Sequence, residues 1–406
     1  MRQAASDTAP APVRRPKDRK ARIALAGAEL FCERGYHGVS VDEIAAAVGI
    51  SGPAVYRHFP NKYAILVHAT REVVGALLAA TGQPAASNAD GLLDGLLDEL
   101  LRALAEVAVS RRRVAGLYQW EGRYLTPEHR QEFAASMATL VGRVAAPLRE
   151  LRPELTAAQA DLLVNAALSA FGSVTTYRAA ATGTDTEHLL TRVAWTLLRT
   201  DAPAVPLRRR TAPQDMPATG PVRPASRREL LLIEAMRLFH RHGYHAVAVE
   251  DIGRAAGMQA SSVYRYFPGK ADLLAAAYYR ATDRLTGATT AAIAEASDPA
   301  DALHRVVRAY VDFAFGQSDL VAVYLAENNN LPDRDRHQLR GAQRLHVEEW
   351  VGLVRAVRPD LPAADARVLV HAALNVVTDV GRLGRFDRTA GYDDQTARLA
   401  LAVLHA

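Results

Sequence analysis

The chain has 406 residues, of which 49% are hydrophobic, and a formal net charge of +5. This composition excludes a disordered chain and predicts two or three globular domains, and the modest positive charge favours a polyanionic partner. No apolar stretch approaches the roughly 18 to 20 residues that span a bilayer, and residues 1–20 lack the apolar core of a secretory signal. The single cysteine excludes an intrachain disulfide, so we expect a cytoplasmic protein with no membrane partner.

The predicted elements are almost all helices, because apolar residues recur at helical spacing and clean period-two alternation is lacking. The first helix ends near Gly35, and Ser40 then opens a capping box with Glu43 for a short second helix. Gly49 is the expected turn residue, and Ser51 is expected to cap a third helix. Two short helices joined by a turn with glycine are typical of a helix-turn-helix.

The third predicted helix has an outward face, because Val55 and Phe59 are expected to face inward. That outward face consists of Gly52, Pro53, Tyr56 and His58. Small residues there would let the backbone approach base edges in the major groove, and the polar tips of Tyr56 and Lys62 would lie near phosphates. Basic residues that could contact the DNA backbone precede the first helix: Arg14, Arg15, Lys17, Arg19, Lys20 and Arg22. The alternatives are a helix pair in an ordinary all-α core and a solvated basic face.

The whole pattern occurs twice. Residues 31–69 and 239–277 are identical at 17 of 39 positions without a gap, at an offset of 208. The similarity continues to 152–155 and 358–361, now at an offset of 206, so about half the chain has been duplicated. Six prolines between the copies exclude a helix over 201–224 and predict a linker.

The two copies resemble the DNA-binding domain of the TetR family. Residues 35–62 carry Gly-Tyr, Val-x-x-Ile-Ala, Val-Gly-Ile-Ser and Tyr-Arg-His-Phe-x-x-Lys, and residues 243–270 repeat most of this pattern. The resemblance implies an all-α fold of about nine helices per unit, with a ligand-binding and dimerising part after the DNA-binding helices. As a tandem chain it also resembles the repressors of mycobacterial mammalian-cell-entry lipid-uptake operons.

The resemblance also assigns residues to DNA contact. In the first copy these are Ser51, Gly52, Pro53, Ala54, Tyr56, Arg57, His58 and Lys62. In the second copy they are Gln259, Ala260, Ser261, Ser262, Tyr264, Arg265, Tyr266 and Lys270. The second copy departs from the first because Ser40 becomes Ala248, which removes a side-chain cap, and because the two DNA-facing segments differ. We therefore expect two different half-sites.

The predicted domains follow from the repeat. They are a disordered basic arm (1–17), a first DNA-binding domain (18–64), a first regulatory domain (65–200), the linker (201–224), a second DNA-binding domain (225–272) and a second regulatory domain (273–406). Small apolar helices near 158–180 and 363–385 are expected to pair the copies as an intramolecular pseudo-dimer, so that the chain acts as a monomer, with further self-association left open. Domain core is the alternative role for these helices.

Effector contacts are predicted at aromatic positions, although core packing is the alternative for each: Tyr118, Trp120, Phe171 and Tyr324. The resemblance implies a small hydrophobic or acyl-type effector. The sequence has no phosphate-binding glycine loop, metal-ligand spacing or nucleophile elbow, so we expect no enzyme, metal or cofactor. A ligand-responsive repressor of double-stranded DNA operators is the first hypothesis. A transcription activator, an effector-independent DNA-binding protein and a protein with one inactive DNA-binding domain are the alternatives.

Overall fold

The computed structural model describes residues 19–82, 92–175, 184–202 and 226–406, and every regular element within these ranges is helical. We refer to 19–202 as unit one and to 226–406 as unit two. The predicted basic arm over 1–17 and nearly all of the predicted linker lie outside the described residues. The all-α tandem architecture expected from the sequence is confirmed over the described ranges.

Each unit has nine α-helices within the described residues. In unit one they are α1 (Arg19–Arg34), α2 (Val41–Ala47), α3 (Gly52–Val55), α4 (Lys62–Ala80), α5 (Leu92–Ser110), α6 (Leu117–Glu121), α7 (Pro127–Leu151), α8 (Ala157–Gly172) and α9 (Thr184–Arg199). In unit two they are α10 (Arg227–His242), α11 (Val249–Ala255), α12 (Ala260–Val263), α13 (Lys270–Ala294), α14 (Pro299–Gly316), α15 (Ser318–Glu327), α16 (Asp333–Val357), α17 (Ala363–Leu383) and α18 (Tyr392–Leu404). Short 3₁₀ turns follow α6, α8, α15 and α17.

Helix α2 begins where the sequence predicts, because Ser40 forms the capping box. The Ser40 hydroxyl accepts the Glu43 N–H at 3.2 Å, and the Glu43 carboxylate accepts the Ser40 N–H at 2.8 Å. In unit two, Ala248 has no side-chain acceptor, as expected, yet its N–H still donates to Asp251 at 3.0 Å. Helix α11 therefore keeps half of the capping arrangement.

Three hydrophobic cores organise the described residues. Each predicted DNA-binding domain packs its own core with the start of the following long helix, around Phe31 and Ile65 in unit one and around Phe239 and Leu274 in unit two. The third core contains residues of both units, among them Leu163 and Val376. It joins the two regulatory regions within one chain.

Helices α8 and α17 pack against each other at the centre of this shared core, and α9 packs against α18 beside them. The Ser169 hydroxyl on α8 donates to Asp379 on α17 at 2.8 Å, and the Asn375 amide on α17 donates to the Ser169 carbonyl at 2.7 Å. Helices α8 and α17 are equivalent helices of the two units, and the predicted pseudo-dimer stays a prediction.

The expectation that no apolar stretch approaches the length of a membrane span is wrong. Among the described residues, α4 (Lys62–Ala80) is long and apolar enough to cross a membrane by length and composition alone. Its buried residues, such as Ile65 and Leu66, belong to the core of the first DNA-binding domain. Its Arg71 pairs with Glu132 on α7 at 2.8 Å, so α4 has the contacts of a helix in a folded domain.

Candidate nucleic-acid interface and inter-unit cavity

The local sequence explains why α3 and α12 stand at the surface. Gly49 and Gly257 have φ angles of +71° and +70°, which turn the chain sharply before each helix. Val55 is 1% exposed and Phe59 3% exposed, so they fix α3 against α1 and α2. Val263 and Phe267 do the same for α12 in unit two. The opposite side of each short helix is left in solvent.

Tyrosine side chains dominate the exposed sides. Tyr56 is 56% exposed in unit one, and Tyr264 and Tyr266 are 50% and 40% exposed in unit two. The other predicted DNA contacts that are exposed are Ser51, Pro53, Arg57, Gln259, Ser261 and Arg265. Those that are partly buried are Ala54, His58, Lys62, Ala260, Ser262 and Lys270. All of the predicted contacts therefore have some exposure to solvent, with one exception.

That exception is Gly52, which was expected to face outward and is buried. A Cβ at this position would meet the Asp42 carboxylate of α2, which is the end of an exposed side chain. The expected cap at Ser51 is also wrong, because its side chain accepts no hydrogen bond from the backbone of α3. With Pro53 in its first turn and only four residues, α3 is held by packing more than by capping.

Lys62 and Lys270 have a structural role that the sequence did not reveal. The Lys62 ammonium donates to the carbonyls of Tyr36 and Val39, both at 2.8 Å, and lies 4.4 Å from the centre of the Tyr36 ring. Lys270 repeats this with Tyr244 and Val247 at 2.6 and 2.9 Å. Burial lowers the pKa of both lysines. Each lysine ties the loop after the first helix to the start of the long helix, and its phosphate contact stays a prediction.

Equivalent cations flank the two short helices. The Lys20 ammonium lies 5.4 Å from the centre of the Phe59 ring, and the Arg228 guanidinium lies 5.0 Å from the Phe267 ring. Both are on the first helix of their unit, and both pack on the phenylalanine that follows the short helix. A positive charge close to each short helix is suited to a phosphate backbone.

The two units also contact each other near the loops that follow their first helices. Arg123 of unit one donates to the Glu327 carboxylate of unit two at 3.0 Å and to the Ala326 carbonyl. Glu327 is 2% exposed and also accepts the Tyr244 N–H at 3.1 Å. The rings of His37 and His245 are 4.7 Å apart between the two loops.

The residue equivalent to Glu327 is Glu121, whose carboxylate accepts the Tyr36 N–H at 3.0 Å. Burial raises the pKa of Glu121 to about 7, while the Tyr36 N–H and Arg123 act in the opposite direction. The residue equivalent to Arg123 is Asn329, which packs on Gly35 of unit one. The contact between the units therefore has an arginine–glutamate pair at Arg123 and Glu327, whereas an asparagine replaces the arginine at the equivalent position. This difference is found only when the two copies are compared in three dimensions.

A cavity of about 580 Å³ lies between unit one and α17 of unit two, and we call it the inter-unit cavity. Two predicted effector contacts, Tyr118 and Phe171, line it. Tyr324 instead packs against Tyr278, with ring centres 5.0 Å apart, and donates to Gln343 at 3.2 Å. The side chain of Trp120 lies outside the described residues. In the part of the chain that the structure describes, no group of three or more His, Cys, Asp or Glu residues is placed to hold a metal ion.

Comparison with known proteins finds similarity in three segments of the chain. The family model for bacterial regulatory proteins of the tetR family matches residues 23–69 and 231–277. A tetracyclin repressor-like C-terminal domain matches residues 296–382. The chain therefore carries two segments of the tetR DNA-binding type and one segment like the C-terminal domain of a tetracyclin repressor.

Individual relatives match one part of the chain at a time. The HTH-type transcriptional activator FasR of Mycolicibacterium smegmatis is 33% identical over 78 residues, which are 19% of this chain and 36% of that protein. The chain thus spans little more than a third of that relative. The fatty acid degradation regulator FadR from Bacillus halodurans is 19% identical, with a TM-score of 0.38 over 44% of this chain and 96% of that one. The ketosteroid regulator KstR2 of Mycobacterium tuberculosis is 21% identical, with a TM-score of 0.39 over 45% and 95%.

Proposed function

We propose that the chain is a ligand-responsive transcriptional repressor that binds an asymmetric DNA operator through two non-identical DNA-binding domains. One observation carries this proposal: the scaffolds of α1–α3 and α10–α12 are alike, but their exposed faces differ. Tyr56 and Tyr264 are at equivalent exposed positions, whereas Pro53 is replaced by Ser261 and His58 by Tyr266. Contacts to phosphates fix the position on DNA, and side chains at base edges select the sequence.

A single chain supplies both DNA-binding domains in this proposal. The contact between α8 and α17, with the Ser169–Asp379 hydrogen bond, supports an intramolecular pairing of the units. Such a pseudo-dimer would place the two short helices in successive major grooves, roughly 34–36 Å apart or a multiple of that. Mass measurement by light scattering, with and without operator, tests this. One chain per operator is expected, and an obligate dimer of chains whose own units do not pair would contradict it.

Operator asymmetry is tested by selecting bound sequences from a random DNA pool. The native chain should select a site with two unlike halves. A chimera in which residues 259–266 are replaced by the sequence of 51–58 presents the same face twice, so it should select a palindrome. The reverse chimera, with 51–58 replaced by 259–266, is the matched control and should select the other palindrome. Unchanged asymmetric sites from both chimeras would contradict the proposal.

An activator is the second candidate, favoured by the similarity of one segment to a transcriptional activator. Transcription from the selected operator, measured with and without the chain, separates the two. Lower transcription with the chain present supports repression, and higher transcription supports activation. A protected region covering a single half-site would support the further alternative of one inactive DNA-binding domain. Cytoplasmic localisation, and a role like that of the mammalian-cell-entry operon repressors, stay predictions.

A further inference from the structure

The inter-unit cavity has apolar walls and a basic rim. Its walls include Leu77, Leu104 and Leu140 of unit one. Its volume of about 580 Å³ lies within the range of roughly 300–1,000 Å³ that is usual for sites of small organic molecules. A hydrocarbon chain suits such walls, because moving apolar groups out of water is favourable.

The rim is built from both units. Arg111 directly follows α5 in unit one, while Arg382 lies in the last turn of α17 and Arg385 just beyond it in unit two. Asp379 also lines the cavity, but the Ser169 hydroxyl and the Asn375 amide donate to it, and Arg382 lies 3.6 Å away. Three guanidinium groups against one carboxylate leave the rim positive. Unit one alone would have an open cavity without two of these three charges.

The equivalent space in unit two is occupied by aromatic rings. At an offset of 206, Leu104 corresponds to Tyr310, Leu140 to His346, and Val144 on the same helix to Trp350. Tyr310 lies 6.0 Å from His346 and 5.7 Å from Trp350, and His346 lies 5.8 Å from Trp350, measured between ring centres.

Burial lowers the pKa of His346 to about 4, so at neutral pH its ring is uncharged and packs with the other two. Trp350 is fully buried in this cluster. The two units thus differ in the residues that decide whether an organic molecule can enter.

We propose that each chain holds one effector, an anionic amphiphile, in the inter-unit cavity, with its hydrocarbon tail among the leucines of unit one and its acidic head group paired with Arg382 and Arg385 of unit two. The ligand touches both units, so it favours one relative placement of the two DNA-binding domains. This consequence for operator binding rests on the proposed function. The binding itself does not.

The test uses the full chain and cis-parinaric acid, a fluorescent long-chain carboxylate, titrated in the absence of DNA. One probe per chain is expected. Leu140→Trp should weaken binding at least tenfold, because the indole fills the cavity. The matched variant His346→Leu alters the equivalent position of unit two and should leave the affinity of the probe unchanged. Two probes per chain, or no binding at all, would overturn the proposal.

A second variant keeps the proposal testable if Leu140→Trp does not fold. Arg382→Gln combined with Arg385→Gln changes two exposed side chains and should weaken the carboxylate at least fivefold. The same variant should leave the affinity for a long-chain alcohol, measured by displacement of the probe, unchanged, since the alcohol carries no charge. Equal carboxylate affinity in native and variant chains would refute the head-group assignment.

Competition with palmitate and with its coenzyme A thioester distinguishes a free fatty acid from an acyl thioester as the source of the anionic head. Displacement by either one supports the site, and displacement by neither overturns it. Failure of the chain to bind any operator would leave these titrations standing, because they contain no DNA. The two proposals can therefore fail separately.

Discussion

Replacing Arg123 by alanine removes the charged contact between unit one and the buried Glu327 of unit two. Breaking a fully buried ion pair costs about 3–5 kcal/mol, whereas an exposed pair contributes about 0–1 kcal/mol. Arg123 is 27% exposed and Glu327 2% exposed, so this pair lies between these limits. Glu327 would keep its hydrogen bonds from Tyr244 at 3.1 Å and Asn330 at 2.7 Å, which lowers the cost. We expect Arg123→Ala to lower the free energy of unfolding by about 2 kcal/mol.

Urea unfolding monitored by circular dichroism measures this loss, and Arg71→Ala is the matched control. Arg71 pairs with Glu132 at 2.8 Å within unit one, but the two side chains are 51% and 43% exposed, so its removal should cost less than about 1 kcal/mol. In a double-mutant cycle, Arg123→Ala with Glu327→Gln should show a coupling of about 1–2 kcal/mol. Equal losses for Arg123→Ala and Arg71→Ala would refute the reasoning, because burial would then not decide the strength of the contact.

Three further predictions concern single residues. Ser40→Ala should destabilise the first DNA-binding domain by about 1 kcal/mol, and Ala248→Ser should stabilise the second by up to the same amount, both measured by urea unfolding. Gly52→Ala should cost less than about 1 kcal/mol in urea unfolding, because the only atoms that its Cβ would meet belong to the exposed Asp42 side chain, which can rotate away; a loss above about 2 kcal/mol would contradict this. The Glu121 carboxyl has a folded pKa of about 7, above its ordinary value of 4.5, so the folded state binds the extra proton and stability should fall as the pH rises from about 4.5 to about 7. Between these pH values the Glu121 carboxyl should change the free energy of unfolding by up to about 3 kcal/mol, and Glu121→Gln should abolish that change. Unfolding measured as a function of pH tests this, and an unchanged pH dependence in the variant would contradict the assignment.

The sequence predicts the parts of this fold that depend on local patterns. The capping box at Ser40, the turn at Gly49 and the inward faces of Val55 and Phe59 follow from residue types at fixed spacing, and all are confirmed. Gly52 was misplaced because a glycine gives no side-chain pattern, so its burial depends on where Asp42 lies.

The sequence also does not predict contacts between distant segments. Arg123 and Glu327 are separated by 204 positions, and no spacing rule relates an arginine of one unit to a glutamate of the other. The roles of Lys62 and Lys270 were missed because their acceptors are backbone carbonyls, which every residue has.

The copies remain alike where they hold the fold and differ where they can bind partners. Arg152 binds the carbonyls of Leu198 and Thr200 at the end of unit one, and Arg358 repeats this contact at Leu404 and the terminal residue of unit two. No such match exists for the pairs Pro53 and Ser261 or His58 and Tyr266, for the side chains around the inter-unit cavity, or for the contact of Arg123. Two identical units of a homodimer must change together, because one gene encodes both. Two units in one chain can change separately, so one cavity can be filled by rings while the other stays open, and each DNA-binding domain can select its own half-site.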